Sequence, residues 1–191
     1  MTPAVFPTAY WLLPTGGTPL PTIAPMPITV LQHSDTAVGG PGRLGATLRD
    51  HGFKLDIRRP DLRGEAAIPP DLDDVQGVVI MGGPMNVTDI ATLPWMQREA
   101  AFIKAAHDAQ LPVIGICLGA QLIAHALGGQ VGPKDAGPEL GFRPTSITIQ
   151  GQTETMLSGI SWHAPWLYSC GQEVKTLPPG ATALATTPST K

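Results

Sequence analysis

The amino-acid sequence predicts a doubly wound α/β fold with a mainly parallel sheet and a small β extension. Short, nearly continuous apolar segments alternate along the chain with amphipathic helical segments, the order that βαβ units require. Continuous apolar segments of this length are typical of strands that helices cover on both faces. After Gly129 the pattern changes to short β-like segments separated by Gly and Pro, which predicts the extension.

The composition limits the class of protein. A chain of 191 residues suits a single domain, and a formal net charge of −3 without a cluster of Lys and Arg makes nucleic acid an unexpected partner. Two cysteines, Cys117 and Cys170, are too few for a disulfide framework and lack the paired close spacing of a zinc site. No apolar segment approaches the ~18 residues of a membrane span, and no signal peptide is recognisable. We therefore expect a cytoplasmic protein that uses no membrane, metal or cofactor.

The first 26 residues differ from the rest of the chain. They contain six prolines, which fix φ and remove backbone donors, so we interpret residues 1–26 as a disordered leader. The apolar pattern begins directly after Met26, and a translation start at Met26 is an alternative to Met1. The remaining residues, 27–191, form the predicted domain.

In the first half of that domain the sequence predicts three strands, with one helix between the first two strands and one helix after the third. Ile28–Leu31 is a buried strand, and the next helix carries Leu44 and Leu48 and ends at Gly52. Phe53–Ile57 alternates like a second strand, and Gly77–Met81 is a continuous apolar strand. The helix that follows starts near a proline and has three apolar residues on one face at i, i+4 and i+7 spacing: Pro94, then Met96, Ala100 and Ile103.

The next strand and helix are joined by a short motif that contains a candidate catalytic residue. A strand over Val113–Ile116 precedes a helix from Leu118 to about Leu127, which Gly128-Gly129 ends. Three β-like segments follow: Ser146–Ile149, Trp166–Ser169 and Thr182–Ala185. The alternation of strands and helices up to Gly129 indicates a parallel, doubly wound sheet.

Gly115-Ile116-Cys117-Leu118-Gly119 fits the pattern of a nucleophile elbow, in which small flanking residues allow a sharp turn from strand to helix. Cys117 is the candidate nucleophile, since free N–H groups and the helix dipole stabilise a thiolate at a helix N-terminus. The alternative is a buried structural thiol in an ordinary turn. The N–H of Leu118 is one candidate oxyanion donor, and Gly83, at the end of the neighbouring strand, offers the second.

The sequence from Gly115 to Gln121, GICLGAQ, together with ALGG at 126–129, resembles the signature of class I glutamine amidotransferases. Three further segments resemble motifs of that family in the same order: VIMGGPMN at 79–86 the oxyanion strand and loop, ELG at 139–141 the E-x-G segment, and SCGQEV at 169–174 ahead of LPPGA at 177–181 the S-H-G-D and L-P-x-G-A segments. The resemblance covers about Pro27 to Lys191. It implies a flavodoxin-like, class I glutamine amidotransferase-like fold.

The resemblance also implies an activity and a substrate. In that family the cysteine attacks the side-chain amide of L-glutamine, ammonia leaves, and water hydrolyses the glutamyl thioester. Carried over, Gln121, Glu139 and Gly141 would bind glutamine. The alternatives without a functional role are a solvated helix residue for Gln121 and an exposed loop carboxylate for Glu139. No synthetase domain accompanies the motifs, so a synthetase or other ammonia acceptor would have to act in trans.

The sequence departs from the family at the general base. The family's H-x-E motif follows the L-P-x-G-A segment, and none of the five histidines here has that pattern. His33 precedes Asp35 in the nearest alternative, which we interpret as a capping or solvated pair, and we expect His125 to pack on its helix. Cys170 stands at the position of the S-H-G-D histidine, where we expect a small residue at a strand end, and Gln172 replaces the aspartate.

Three hypotheses follow. The first is an amidotransferase domain whose chain ends before its catalytic base, with little or no glutaminase turnover of its own. The second is a non-catalytic binding or regulatory protein that keeps the elbow. The third is a cysteine enzyme of the DJ-1/PfpI type, but Gln121 and Glu139 favour amidotransfer.

Overall fold

The protein is described from a computed structural model that covers residues 26–135 and 137–188. The predicted leader lies outside the described residues, apart from Met26. Among the helices of the described residues, none is long and apolar enough to span a membrane.

Four parallel strands form the central sheet, in the order β2-β1-β3-β4. Their bounds are Ile28–Leu31 for β1, Leu55–Arg58 for β2, Gly77–Ile80 for β3 and Val113–Gly115 for β4. Every residue of β1 and β3 is buried, as the continuous apolar segments predicted. The sheet is therefore parallel, with its two most apolar strands at its centre.

Helices cover both faces of this sheet. The six described helices are α1 (Thr36–Gly39), α2 (Gly42–Asp50), α3 (Pro60–Arg63), α4 (Pro94–Asp108), α5 (Leu118–Ala126) and α6 (Ile149–Gln152). On one face, α4 and α5 bury Met96, Ile103 and Leu122 against Val78 and Ile80. On the other, Leu44 and Leu48 of α2 pack on Ile28, Val30, Val79 and Met81. This confirms the predicted doubly wound architecture.

The extension consists of two small antiparallel sheets. One pairs β5 (Gln130–Pro133) with β8 (Gln172–Thr176). The other has the order β7-β6-β9, where β6 is Glu139–Ile147, β7 is His163–Cys170 and β9 is Ala185–Thr186. The extension begins directly after α5, so it lies next to the helix that Cys117 starts.

The structure corrects several predicted bounds. β6 is nine residues long and ends before Ile149, which instead begins α6 because the Thr148 hydroxyl accepts a hydrogen bond from Gly151 N–H at 3.0 Å and caps the helix. The predicted strand over Thr182–Ala185 forms only at its last residue, where β9 starts. β5 and β8 were not predicted, since β5 contains Gly132 and Pro133, which disfavour strands.

Candidate active site

Cys117 lies between β4 and α5 in a backbone conformation that side chains rarely adopt. Its φ is 54° and its ψ is −112°, and such strain costs roughly 1–3 kcal/mol. The flanking glycines are required, because a Cβ on Gly115 would lie 2.6 Å from the Ala120 nitrogen and one on Gly119 would overlap the Ile80 carbonyl. The sequence therefore folds into the sharp elbow that the motif predicted.

The elbow exposes the thiol and places it beside the extension. Cys117 is solvent-exposed, and its Sγ donates a hydrogen bond to the Ser169 carbonyl at 3.3 Å. The alternative of a buried structural thiol is therefore wrong for the described structure. An exposed thiol on a strained turn is positioned to act as a nucleophile.

The loop after β3 packs against this elbow. A Cβ added to Gly82 would lie 3.4 Å from the Cys117 Cβ, and one added to Gly83 would lie 3.2 Å from Leu118 Cδ2. The Leu118 N–H belongs to the first turn of α5, where helices leave their N–H groups without backbone partners. Among the described residues, Gly83 N–H makes no backbone hydrogen bond either. The two candidate oxyanion donors thus lie on adjoining segments beside Cys117.

A cleft of about 290 Å³ opens at Cys117. It lies between the elbow, the loop after β3 and the extension. Of the residues that the sequence singled out, it is lined by Gly83, Cys117, Leu118, Gln121, Glu139, Cys170 and Gln172. A larger cleft of about 850 Å³ lies between α4, α5 and the LPPGA segment, but no cysteine and no candidate oxyanion donor lines it. The smaller cleft is therefore the candidate active site.

Glu139 is held in this cleft by two cations. Its carboxylate lies 3.0 Å from Lys134 Nζ and 3.0 Å from Arg143 Nε. The hydrogen bond and charge of Lys134, helped by Arg143, lower the pKa of Glu139 despite its desolvation. Glu139 is therefore an anion at neutral pH. It is buried, unlike the exposed loop carboxylate that was its alternative.

Gln121 is also buried, and its side chain connects α5 to the extension. Its Nε2 donates to the Gln172 carbonyl at 3.2 Å, and the Gln172 Oε1 accepts the Val87 N–H at 3.1 Å. Gly141 is not among the residues that line the cleft. Its φ of 106° instead requires glycine in β6, two residues after Glu139.

None of the five histidines, all of which lie in the described part of the chain, lines the cleft. His33 is buried, so its interpretation as a capping or solvated residue is wrong, although Asp35 does cap by accepting the Ala37 N–H at 2.9 Å. His125 was expected to pack on its helix and is instead exposed. Cys170 ends β7 as predicted, and burial raises the pKa of its thiol.

Sequence reasoning missed two charged residues near the site. Lys134, which pairs with Glu139, carried no recognisable motif. Glu99 could have been found, because it lies on the same face of α4 as Met96 and Ile103, and a carboxylate on an apolar face needs a partner. That partner is His33, whose Nε2 lies 3.0 Å from the Glu99 carboxylate.

Fold and site together define a class of protein: a parallel α/β domain with a cysteine on a strained strand-to-helix elbow. The family model described as glutamine amidotransferase class-I matches residues 43–190, about three quarters of the chain. The chain belongs to the class I glutamine amidotransferase family.

Similar proteins agree with this assignment. The chain is 33% identical over 139 residues to a glutamine-hydrolyzing GMP synthase subunit of Haloarcula marismortui, covering 73% of this chain and 63% of that protein. The corresponding subunit of Natronomonas pharaonis is 34% identical over 139 residues, covering 73% and 65%. The chain thus spans less than two thirds of either relative.

Solved structures share the fold. A crystal structure of a glutamine amido transferase from Methylobacillus flagellatus matches with a TM-score of 0.75 and 30% identity, covering 85% of this chain and 62% of that one. A glutamine amidotransferase from Thermotoga maritima matches with a TM-score of 0.76 at 20% identity, covering 87% and 69%, which supports the fold alone.

Proposed function

We propose that this chain provides the nucleophile and the glutamine-binding cleft of a glutaminase. The observation that carries the proposal is the exposed Cys117 on its strained elbow, beside the N–H groups of Gly83 and Leu118. The Cys117 thiolate attacks the side-chain carbonyl carbon of glutamine, and the electron pair of the C=O bond moves to oxygen. The two N–H groups stabilise that oxyanion. The C=O bond then re-forms as the C–N bond breaks, and the nitrogen takes up a proton from water and leaves as ammonia. A second water hydrolyses the thioester to glutamate and the free thiol.

Glu139 and Gln121 line the cleft and are proposed to recognise the rest of the substrate. A carboxylate with a lowered pKa binds the α-ammonium group of an amino acid through a charge-assisted hydrogen bond. Arg143, whose side chain is 44% exposed, is the cation that yields to this ammonium group, whereas Lys134 is 3% exposed and stays paired. Gly141 supports Glu139 indirectly by allowing the backbone geometry of β6.

The chain is proposed to turn over glutamine slowly on its own. The departing nitrogen needs a proton, and a general base must be within hydrogen-bond reach of the nucleophile. The absence of histidine from the cleft of the described chain supports this proposal. A base supplied by another polypeptide segment would restore turnover.

Covalent labelling tests the cleft independently of turnover. A chloroketone analogue of glutamine is expected to label Cys117 with saturation kinetics, and Glu139→Gln is expected to raise the half-saturating concentration by roughly 10-fold because a charged hydrogen bond is lost. Iodoacetamide serves as a control for thiol reactivity, and Cys117→Ala as a control for the labelled position. Labelling that shows no saturation, or that is unaffected by glutamine, would contradict the proposed substrate.

Non-catalytic binding is the second candidate, favoured by the same absence of histidine from the cleft. Glutamate release measured with and without Cys117→Ala separates the two functions. Saturable glutamine binding with no release in either protein supports a binding role. Release that depends on Cys117 supports catalysis.

We also propose that the partner that accepts ammonia is a synthetase protein, since the similar archaeal proteins are named as parts of GMP synthase. An exposed apolar surface on β6 and β7 supports this: Leu140 is 74% exposed, Phe142 67% and Leu167 67%. Phe142 and Leu167 are cross-strand neighbours, and Leu140 also lines the cleft. A partner bound here would receive ammonia at the cleft mouth.

Phe142→Ser is expected to weaken binding to the synthetase part of a GMP synthase in a pull-down, whereas the exposed Met156→Ser is not.

A further inference from the structure

His33 and Glu99 form a buried pair outside the cleft. Both side chains are 0% exposed, and His33 Nε2 lies 3.0 Å from each carboxylate oxygen of Glu99. The other ring nitrogen, Nδ1, lies 3.0 Å from the Met81 carbonyl oxygen. The imidazole also stacks on Trp95, with ring centroids 5.5 Å apart. Three elements of the sheet domain, the segment after β1, the segment after β3 and α4, therefore meet at one ring.

The partners of the ring determine where its protons are. The Met81 carbonyl can only accept, so Nδ1 donates to it, and a further proton is shared between Nε2 and the Glu99 carboxylate. Burial alone lowers the pKa of His33, but the hydrogen bond and charge of Glu99, the Met81 carbonyl and the charge of Asp61 together raise it. Asp61 is itself paired with Arg59 at 2.6 Å. The ring thus holds the Met81 carbonyl and the Glu99 carboxylate together, and the pair is called the clamp.

This clamp acts on the loop that contains Gly83. Met81 is the last residue before Gly82 and Gly83, and its N–H donates to the Leu31 carbonyl at 2.9 Å. A Cβ on Gly83 would lie 2.7 Å from the His33 Cβ, so the loop passes directly over His33. Two adjacent glycines restrict the backbone very little. The direction of the Gly83 N–H therefore depends on how its neighbours are held.

We propose that His33 and Glu99 are positioning residues that orient the Gly83 N–H toward Cys117 by fixing the Met81 carbonyl. The inference rests on the proposed function, because it assigns the pair to the oxyanion formed there. The pair does not line the cleft and is not a general base, since both ring nitrogens are already hydrogen-bonded.

The test compares three proteins: wild type, Glu99→Gln, and the double variant His33→Phe/Glu99→Leu. Glu99→Gln keeps a hydrogen bond to Nε2 and the bond to Met81, while the double variant keeps the stacking on Trp95 and leaves no buried charge. The readout is the ratio of the maximal labelling rate with the glutamine chloroketone to the rate with iodoacetamide. Only the chloroketone develops an oxyanion, so the ratio cancels changes in thiol ionisation.

The double variant is expected to lower this ratio by about 10- to 100-fold with an unchanged half-saturating concentration, the loss typical of a displaced oxyanion donor. Glu99→Gln is expected to stay within about twofold of wild type, since one neutral hydrogen bond replaces a charged one. A folded double variant with a wild-type ratio would overturn the proposal. If the double variant does not fold, Glu99→Leu takes its place, because His33 then loses its partner on α4. The ratio is expected to fall below that of Glu99→Gln, and a folded Glu99→Leu protein with a wild-type ratio would overturn the proposal.

Hydrogen exchange at the Met81 amide, which is hydrogen-bonded to the Leu31 carbonyl, separates this inference from the proposed function. It is expected to be faster in the double variant than in wild type, whether or not Cys117 accepts glutamine analogues, because the loop loses its clamp. Unsaturable labelling in wild type would refute the proposed function alone. Equal exchange at Met81 in the two proteins would refute the positioning role even where labelling saturates.

Discussion

The central sheet and the β extension each supply half of the candidate site, and they hold their halves by different forces. Cys117 and Gly83 are fixed by a sheet whose inner strands are fully buried between helices. Glu139 is fixed by ion pairs on an extension whose strands alternate between partly buried and exposed residues. The proposed nucleophile and oxyanion donor are thus set by packing, and the proposed recognition of substrate is set by charge.

This difference has consequences for how each half responds to change. Packing tolerates little added volume and is insensitive to pH. Ion pairs tolerate shape changes but depend on the protonation of their members. Substitutions that add volume should therefore destabilise the sheet. Substitutions that remove a charge should destabilise the extension.

The largest expected effect comes from adding volume where α5 crosses the sheet. Gly119→Val would place side-chain atoms on the Ile80 backbone, and overpacking of this kind lowers the free energy of unfolding by at least ~3 kcal/mol. Chemical denaturation, monitored by circular dichroism, measures this free energy. Gly171→Val in the extension is the matched control, because no atom lies within 4 Å of a Cβ at that position. Equal losses in the two variants would mean that the two regions do not differ in packing.

The sheet could be predicted from the sequence because its signals are local. The segments at 28–31 and 77–80 are nearly continuously apolar, with Thr29 the one polar side chain, as burial on both faces favours, and both form strands as predicted. Pro94 begins α4 as its fixed φ favours. The elbow was predictable for the same reason, since its glycines are needed within five consecutive residues.

The extension and the connections of the site depend on contacts between distant residues. β5 and β8 are joined across about 40 residues, and neither has a distinct pattern. The pairing of Lys134 with Glu139 follows from the turn between β5 and β6, which sequence spacing does not specify. His33 was misinterpreted because its partner Glu99 lies 66 residues away. The sequence therefore predicted some of the residues that line the cleft. It did not predict the charged side chains with which they form ion pairs.

Replacement of Lys134 should have a smaller effect that depends on pH. Lys134 also lies 3.2 Å from Glu173, so Lys134→Met leaves two carboxylates without their shared cation, and the denaturation midpoint at pH 7 is expected to fall. Lys134 lowers the pKa of Glu139 below the ordinary value of 4.5, and Lys175, helped by Lys134, lowers that of Glu173. Their contribution is present above that value and is lost as the pH falls through the lowered pKa.

The difference in midpoint between wild type and Lys134→Met should accordingly shrink below about pH 4.5, the ordinary glutamate value. Lys104→Met is the control, because its pair with Asp108 is exposed on α4. A difference that stays constant from pH 7 to pH 3 would show that Lys134 acts through packing of its alkyl chain rather than through charge.

The smallest expected effect distinguishes the two thiols of the cleft. Cys117 is exposed at the end of the sheet, whereas Cys170 is half-buried in the extension, where desolvation raises the pKa of its thiol. A raised pKa leaves Cys170 as the neutral thiol at pH 7, and the thiolate is the nucleophile. Iodoacetamide should therefore modify Cys117 faster than Cys170, by a few-fold at pH 7 and by less as the pH rises and Cys170 ionises. Mass spectrometry of peptides from a timed reaction measures both rates in one sample, with Cys117→Ala reporting Cys170 alone. Faster modification of Cys170 at pH 7 would mean that the extension, and not the sheet, presents the more reactive thiol.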